Sequence, residues 1–342
     1  MSGRIDDAPV AAGAAARHSR TQLIGCLAVA VVSLAIVIGL QNVAIARFFP
    51  ITSRLSTEFS SAYLKRELLA LRGQPGETIF LGDSILWGFR LQPDETAAAI
   101  LTARGCACRN LSYKHGSPVN YYALARILQS YGVRPGAVVI EVNREVFGPT
   151  AEAYRELSAT VSQMAMPLLT PDDVATFTPQ RRSGFRGRVD RALASVSLLY
   201  AMRTDIREAI YGDNDPPPPP LEAGLKRRLY DLPDLDESNV SIKYLEKTLE
   251  LFRTEGIPVI AFLVPVNHVA IDPYVDAARY RRNSCYLDAT LARGGARVYD
   301  LDASFAHAEF VDEAHLNGAG QRRLASILAG ALRAVGGDAG RP

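Results

Sequence analysis

The sequence predicts an α/β protein in which a parallel sheet is covered by helices on both faces, a three-layer α/β/α sandwich preceded by one membrane-spanning helix. Two observations carry this expectation. Five short apolar runs, at 78–81, 106–111, 137–142, 257–264 and 296–301, are bounded by Gly and Pro and separated by helical stretches, as expected of strands buried on both faces. The run 23–40 is uncharged and long enough to cross a bilayer as a helix. The 342 residues leave room for one domain of about 200 to 250 residues plus extra segments.

In chain order, residues 1–22 form an alanine-rich tail carrying Arg4, Arg17, His18 and Arg20, which reads as a disordered cytoplasmic leader. Residues 23–46 form a transmembrane signal-anchor. Ala44, Ile45 and Ala46 also have the small-x-small form of a cleavage site, so a cleaved signal peptide competes with the anchor, and either reading exports the body. Arg17 and Arg20 on one side face Arg47 and Arg54 on the other, so orientation rests on the short tail, which leaves the large domain outside the inner membrane, toward periplasm or exterior. The exported domain spans 52–335, opening with a helix over 52–71.

An interval of unusual length, about 148–239, separates the third and fourth strand candidates. It holds Arg181, Arg182 and Arg191, a helix-like segment at 193–211 and five consecutive prolines at 216–220, which predict an extended spacer. Such an insertion forms either a wall of the site or a surface excursion. The net charge of +2, with no lysine or arginine tract, gives no nucleic-acid footprint. Of the four cysteines, Cys26 lies in the apolar run. Cys285 either pairs with Cys106 or Cys108 in an oxidising compartment, or all three remain free thiols.

The first strand candidate runs into Gly82-Asp83-Ser84 and then a helical stretch. Ligands bind at the carboxyl ends of parallel strands, so a serine there presents its hydroxyl at the mouth of the sheet, with its N–H able to stabilise an oxyanion. Asp and Ser also cap helices for structural reasons. At the other end of the chain, Asp312 and His315 stand between the last strand and a helix. Their three-residue spacing lets one turn present a carboxylate that orients the imidazole, which serine needs to become a nucleophile near neutral pH.

These two segments, GDS after a first strand and DxxH before a last helix, resemble blocks I and V of the GDSL/SGNH hydrolase superfamily. The resemblance implies a flavodoxin-like five-stranded sheet and a catalytic set of Ser84, Asp312 and His315, with no metal or organic cofactor. It also implies two further oxyanion donors. The segment 110–117 resembles the glycine block, with Gly116 as the donor and Ser112 as the alternative, while Asn143 after the third strand is similar to the block III asparagine, without the usual GxND wording. Asp83, His115, Asn267 and His268 are candidates for substrate contact, Asn267 and His268 reading equally as a polar loop after a strand. His307 lacks the DxxH context.

The arrangement is loosely similar to exported polysaccharide O-acyltransferases of alginate acetylation and teichoic-acid D-alanylation. That similarity implies an acyl donor, a cell-envelope or secreted polysaccharide as acceptor and an integral membrane acyltransferase as partner. A simple lipase or carbohydrate esterase uses the same residues. A polysaccharide-binding adaptor without activity is the expectation of another class.

Overall fold

The computed structural model describes residues 9–48, 61–74, 76–148, 156–157, 159–179, 221–338 and scattered positions between 189 and 206. The prolines at 216–220 and the side chains of Arg181, Arg182 and Arg191 lie outside the described residues.

The central sheet contains β1 (Thr78–Leu81), β2 (Cys108–Asn110), β3 (Ala137–Val142), β6 (Val259–Leu263) and β7 (Arg297–Asp300) in the order β2-β1-β3-β6-β7. All pairings are parallel, with Phe80 beside Val139, Ile140 beside Ala261 and Phe262 beside Tyr299. This is the flavodoxin-like strand order. From β1 the chain goes to β2 on one side and then to β3 on the other, and a crevice opens at the carboxyl ends where the direction reverses.

Apolar residues point to both faces because successive strand side chains alternate. Ile79, Leu81, Val138, Ile140, Val142, Ala261 and Leu263 pack under helices Ser61–Arg72, Pro118–Ser130 and Val240–Thr254. Phe80, Val139, Ile260 and Phe262 pack under helices Ala97–Ala103 and Gly318–Asp338. Continuous apolar runs therefore make three layers, as the sequence predicts.

Local chemistry fixes the helix ends. Asn239 accepts the amides of Ser241 and Ile242, and Asp276 those of Ala278 and Arg279. Ile242, Leu245, Leu249 and Phe252 line one face at helical spacing, and all are buried. Gly256, at φ 68°, ends that helix where a side chain would be strained.

The N-terminal helix, Pro9–Phe48, includes a 24-residue stretch, Gln22–Ile45, that is long and apolar enough to cross a membrane. It begins inside the tail for which composition predicts disorder: the alanine content that makes the tail look featureless also favours helix. Asn42 ties this helix to the insertion by donating to the Val196 carbonyl at 2.9 Å and accepting from the Leu198 amide at 2.7 Å. The helix expected over 52–71 is described as Ser61–Arg72.

The insertion is not a loose excursion where it is described. It contains the short parallel pair β4 (Glu156–Leu157) and β5 (Thr178–Pro179) and helices Ala159–Ala165 and Pro171–Thr176. Asp173, fully buried, accepts from the Tyr244 hydroxyl at 3.0 Å and pairs with Lys247, joining the insertion to helix Val240–Thr254.

The pairing of Cys285 with Cys106 or Cys108 is not formed; all four cysteines are free. Cys285 lies on the helix Ala277–Arg293 leading into β7, whereas Cys106 and Cys108 lie at the start of β2, at the opposite sheet edge. Four inter-strand spacings separate those edges by about 19 Å, far beyond disulfide reach. The two close thiols are instead Cys106 and Cys108, with sulfurs 3.0 Å apart.

Phe262 is fully buried in the second strand from the sheet edge, and burying such a ring contributes about 2 to 3 kcal/mol. Phe262→Ala removes that burial and leaves a cavity, so chemical denaturation should show a loss of about 3 to 5 kcal/mol.

Candidate active site

Ser84 opens a single helical turn, Ser84–Trp87, directly after β1. Asp83 caps this turn, its Oδ1 accepting the Ile85 amide at 3.0 Å, and Gly88 at φ 84° ends it. The cap takes the Ile85 amide and leaves the Ser84 N–H without a partner among the described residues, at the mouth of the sheet. One contact pins the turn from the last helix: Gln321 donates to the Ile85 carbonyl at 2.8 Å, while its Oε1 accepts the amide of Ala97, at the start of helix Ala97–Ala103, at 3.0 Å.

The second half of the site sits on the loop after β7. Phe310 bridges to Leu316, and the Val311 amide donates to the His315 carbonyl at 2.7 Å, so the segment folds back on itself. Within it, Asp312 Oδ1 accepts the amides of Ala314 at 3.0 Å and His315 at 2.8 Å. These bonds aim the carboxylate at the imidazole: His315 Nδ1 lies 2.8 Å from Asp312 Oδ2. On the far side of the ring, His315 Nε2 lies 2.8 Å from Ser84 Oγ. The three side chains thus form one hydrogen-bonded line between segments 231 positions apart in the chain.

Electrostatics follow from this line. Burial by itself lowers His315, but the hydrogen bond and charge of Asp312, with the charges of Asp83 and Glu145, outweigh it and hold the imidazole above the ordinary histidine value. Asp312 shows the converse: burial raises it, yet its bonds to His315 and the two amides leave it below the usual carboxylate range. With Nδ1 donating to Asp312, Nε2 is left as the acceptor facing the Ser84 hydroxyl.

The other predicted residues take different places. Asn143, 7 % exposed, donates one Nδ2 hydrogen to Asp83 Oδ2 at 2.8 Å, and its Oδ1 accepts the Glu145 amide at 3.1 Å. The amide is therefore oriented, with its second hydrogen uncommitted among the described residues. Gly116 packs its backbone against Gly82 and Asp83, where any side chain would collide with the Gly82 carbonyl. Its N–H, however, donates to the Tyr113 carbonyl at 2.9 Å, closing a turn in which His115 sits at φ 63°. The amide of the alternative, Ser112, donates to Asn110 Oδ1 at 3.0 Å. The ring of His115 is exposed.

Asn267 and His268 do not share one role. Asn267 is 4 % exposed and clamps the loop of the acid, its backbone N–H donating to the Glu313 carbonyl at 2.9 Å and its Nδ2 to the Asp312 carbonyl at 3.1 Å. Its Oδ1 meets His307 Nδ1 at 2.9 Å, which places His307 in the support of the loop. His268 is held between Asp272 at 2.7 Å and Asp302 at 3.3 Å. Asp83 acts as cap and as acceptor for Asn143.

Several neighbours carry no signal in the sequence. The Phe89 ring lies 4.5 Å from the His315 ring, centroid to centroid, and Lys114 sits over Trp87 at 4.5 Å, giving the site an aromatic rim. Glu145 reaches solvent with part of its surface, yet protein encloses it closely enough for burial to push its carboxyl up to about 7, against the opposing hydrogen bond of the Tyr230 hydroxyl. Tyr230 belongs to helix Ala223–Tyr230, the return arm of the insertion, whose Lys226 pairs with the nearly buried Glu313 at 2.8 Å. The insertion thus meets both sides of the site, at Glu145 and beside Asp312. No local sequence pattern signals a contact between residues so far apart.

A family model matches residues 234–335, which include β6, β7 and the loop of Asp312 and His315. No curated protein matches the sequence. Among solved structures, the chain is similar to a member of the lipolytic protein G-D-S-L family from Veillonella parvula, at 15 % identity and a TM-score of 0.38, covering 73 % of this chain and 94 % of that one. It is also similar to a salicylyl-acyltransferase from a tetracycline biosynthetic pathway, at 14 % identity and a TM-score of 0.36, covering 77 % of this chain and 55 % of that one. Likenesses at these TM-scores carry no weight for the chemistry, which stands on the hydrogen bonds above.

A base with a raised pKa sets the acidic limb of a rate profile. His315 must be neutral to accept a proton, so kcat/KM should rise with pH through a value above the ordinary histidine pKa of about 6.5. Glu145→Gln removes one of the negative charges that raise His315, so this limb should move to lower pH when ester hydrolysis is followed from pH 5 to 9.

Proposed function

We propose that the protein is a serine acyl-transfer enzyme that forms an acyl intermediate on Ser84, with His315 as general base and Asp312 as its orienting carboxylate. The single observation that carries this is the unbroken line from Ser84 Oγ through His315 to Asp312, both links 2.8 Å long. A hydroxyl half-buried at the carboxyl end of β1, bonded to an imidazole whose other nitrogen meets a carboxylate, is the arrangement that makes serine nucleophilic.

In the reaction, His315 Nε2 takes the Ser84 proton as Oγ attacks the acyl carbonyl. The imidazolium is stabilised by Asp312 and returns the proton to the leaving oxygen. Negative charge on the tetrahedral intermediate meets the Ser84 N–H and the second Nδ2 hydrogen of Asn143, two oriented donors. The Gly116 N–H already serves its own turn, so Gly116 acts here chiefly by letting two backbones approach. Water then releases the acyl group as an acid, or an alcohol takes it as a new ester, with His315 removing the proton of either.

The acceptor in this reading is a hydroxyl of a cell-envelope or secreted polysaccharide. Residues 23–46 anchor the chain in the inner membrane, and the domain from 52 to 335 lies on the periplasmic or outer side. Supporting this, the helix Gln22–Ile45 has the length and composition of a span, and the insertion joins it at Asn42 before returning to the site at Tyr230. The site and the apolar helix are therefore linked through one segment, which favours transfer close to a membrane surface.

The test begins with release of nitrophenol from a short-chain nitrophenyl ester by the full chain in detergent. Ser84→Ala should lower the rate by about 10³-fold or more. Asn143→Ala should lower kcat by about 10²- to 10³-fold, the cost of one oxyanion donor. Equal rates in wild type and Ser84→Ala would end the enzymatic reading.

Adding an oligosaccharide acceptor then separates the two fates of the acyl group. Transfer predicts an acceptor whose mass grows by one acyl unit. Free acid as the product, over a range of acceptors and acyl esters, would make the protein a hydrolase.

A further inference from the structure

We infer that Glu141, which takes no part in the reaction above, is a positioning residue: a buried carboxyl beneath the nucleophile loop that fixes Ser84 and both oxyanion donors at once. The inference rests on Ser84 being the nucleophile.

Glu141 is the one charged residue type in the strand Ala137–Val142, and it is fully buried. Its Oε2 accepts the amides of Asp83 at 3.2 Å and Leu86 at 2.9 Å, the residues on either side of Ser84-Ile85. One oxygen thus braces both ends of the turn that presents the Ser84 hydroxyl and N–H. Gly82 is shaped by the same contact, because a Cβ there would collide with Glu141 Oε2 and the Leu86 side chain. The other oxygen, Oε1, is buried without a partner of hydrogen-bond geometry among the described residues, as is the Tyr121 hydroxyl from the helix above.

Burial pushes Glu141 well above the usual carboxylate range, and the charge of neighbouring Asp83 pushes it further, while the two amides oppose this incompletely. Asp83 keeps Oδ1 on the Ile85 amide and Oδ2 on the Asn143 amide, and Asn143 is the second oxyanion donor. Removing Glu141 frees the nucleophile turn and the orientation of Asn143 together.

The substitutions Glu141→Gln, Glu141→Leu and Glu141→Asp test this in the full chain, with kcat and KM for the nitrophenyl ester and the thermal unfolding midpoint measured for each. Glutamine keeps an oxygen for both amides at the same chain length, so its kcat should stay within about fivefold of wild type. Leucine fills the space without an acceptor and aspartate is one methylene short, so both should lose kcat by about 10²-fold, comparable to loss of an oxyanion donor, at unchanged KM.

A glutamine variant as impaired as leucine would overturn the role of the shared acceptor oxygen, and leucine or aspartate variants with wild-type kcat would overturn the positioning role. Should the leucine variant not fold, the glutamine and aspartate pair decides between the same outcomes. Wild type no faster than Ser84→Ala would remove the nucleophile and this role with it. A Ser84-dependent wild type with indifferent Glu141 variants removes this role alone.

Discussion

One hydrogen bond, from Ser84 Oγ to His315 Nε2, is the contact on which the rest of the structure depends. It joins the loop after the first strand to the loop after the last, and each loop is built to bring its atom to that point. The strand order places β1 in the interior of the sheet with β7 at one edge, so the loop from β7 has to reach inward across the carboxyl ends. It does so by folding back through the Phe310 to Leu316 bridge, by the Asn267 clamp on Asp312 and Glu313, and by the capping of the last helix through Asn317. A triad of this kind is a matter of tenths of an ångström, and these supports are polar, directional and largely buried.

The site also concentrates negative charge. Asp83, Glu141, Glu145, Asp312 and Glu313 lie close together on four segments, and the fold manages each differently. Asp312 is compensated by His315 and two amides, and Glu313 by Lys226. Glu141 is pushed toward neutrality by burial, and Glu145 titrates near neutral pH. What remains raises the pKa of His315, which makes it a stronger base while requiring a higher pH to keep it unprotonated. The insertion contributes Tyr230 and Lys226 to this balance, so a segment outside the α/β core helps set the electrostatics of the centre.

Much of this is legible in the chain. The five strands fall on or within the five runs; the interior strands β1, β3 and β6 are apolar in near-continuous stretches because both faces are buried, while the edge strands β2 and β7 are only partly covered. Asp312 and His315 are readable as a pair since three residues span one turn. The carboxylate inside the run at 137–142 is a visible anomaly in the sequence, although nothing local to it names Asp83 and Leu86 as its partners. The tail before the apolar run differs between expectation and structure, and of the two alternatives for the cysteines the structure holds the free thiols. In the first case a composition that suggests disorder instead extends a helix through its alanines, and in the second the number of cysteines says nothing about which sheet edge each one occupies.

The sequence by itself determined the parallel α/β architecture, the apolar N-terminal helix and Ser84, Asp312 and His315 as candidates for one site, because periodicity, composition and short spacings are properties of neighbouring residues. Only the tertiary structure decided that the Gly116 amide closes a turn, that Asn267 clamps the acid's loop, that Glu141 lies under the nucleophile and that the insertion returns to the site. Hydrogen bonds of that kind depend on which strand ends stand side by side and on which donors the local turns have already used, and both are settled by packing across the sheet.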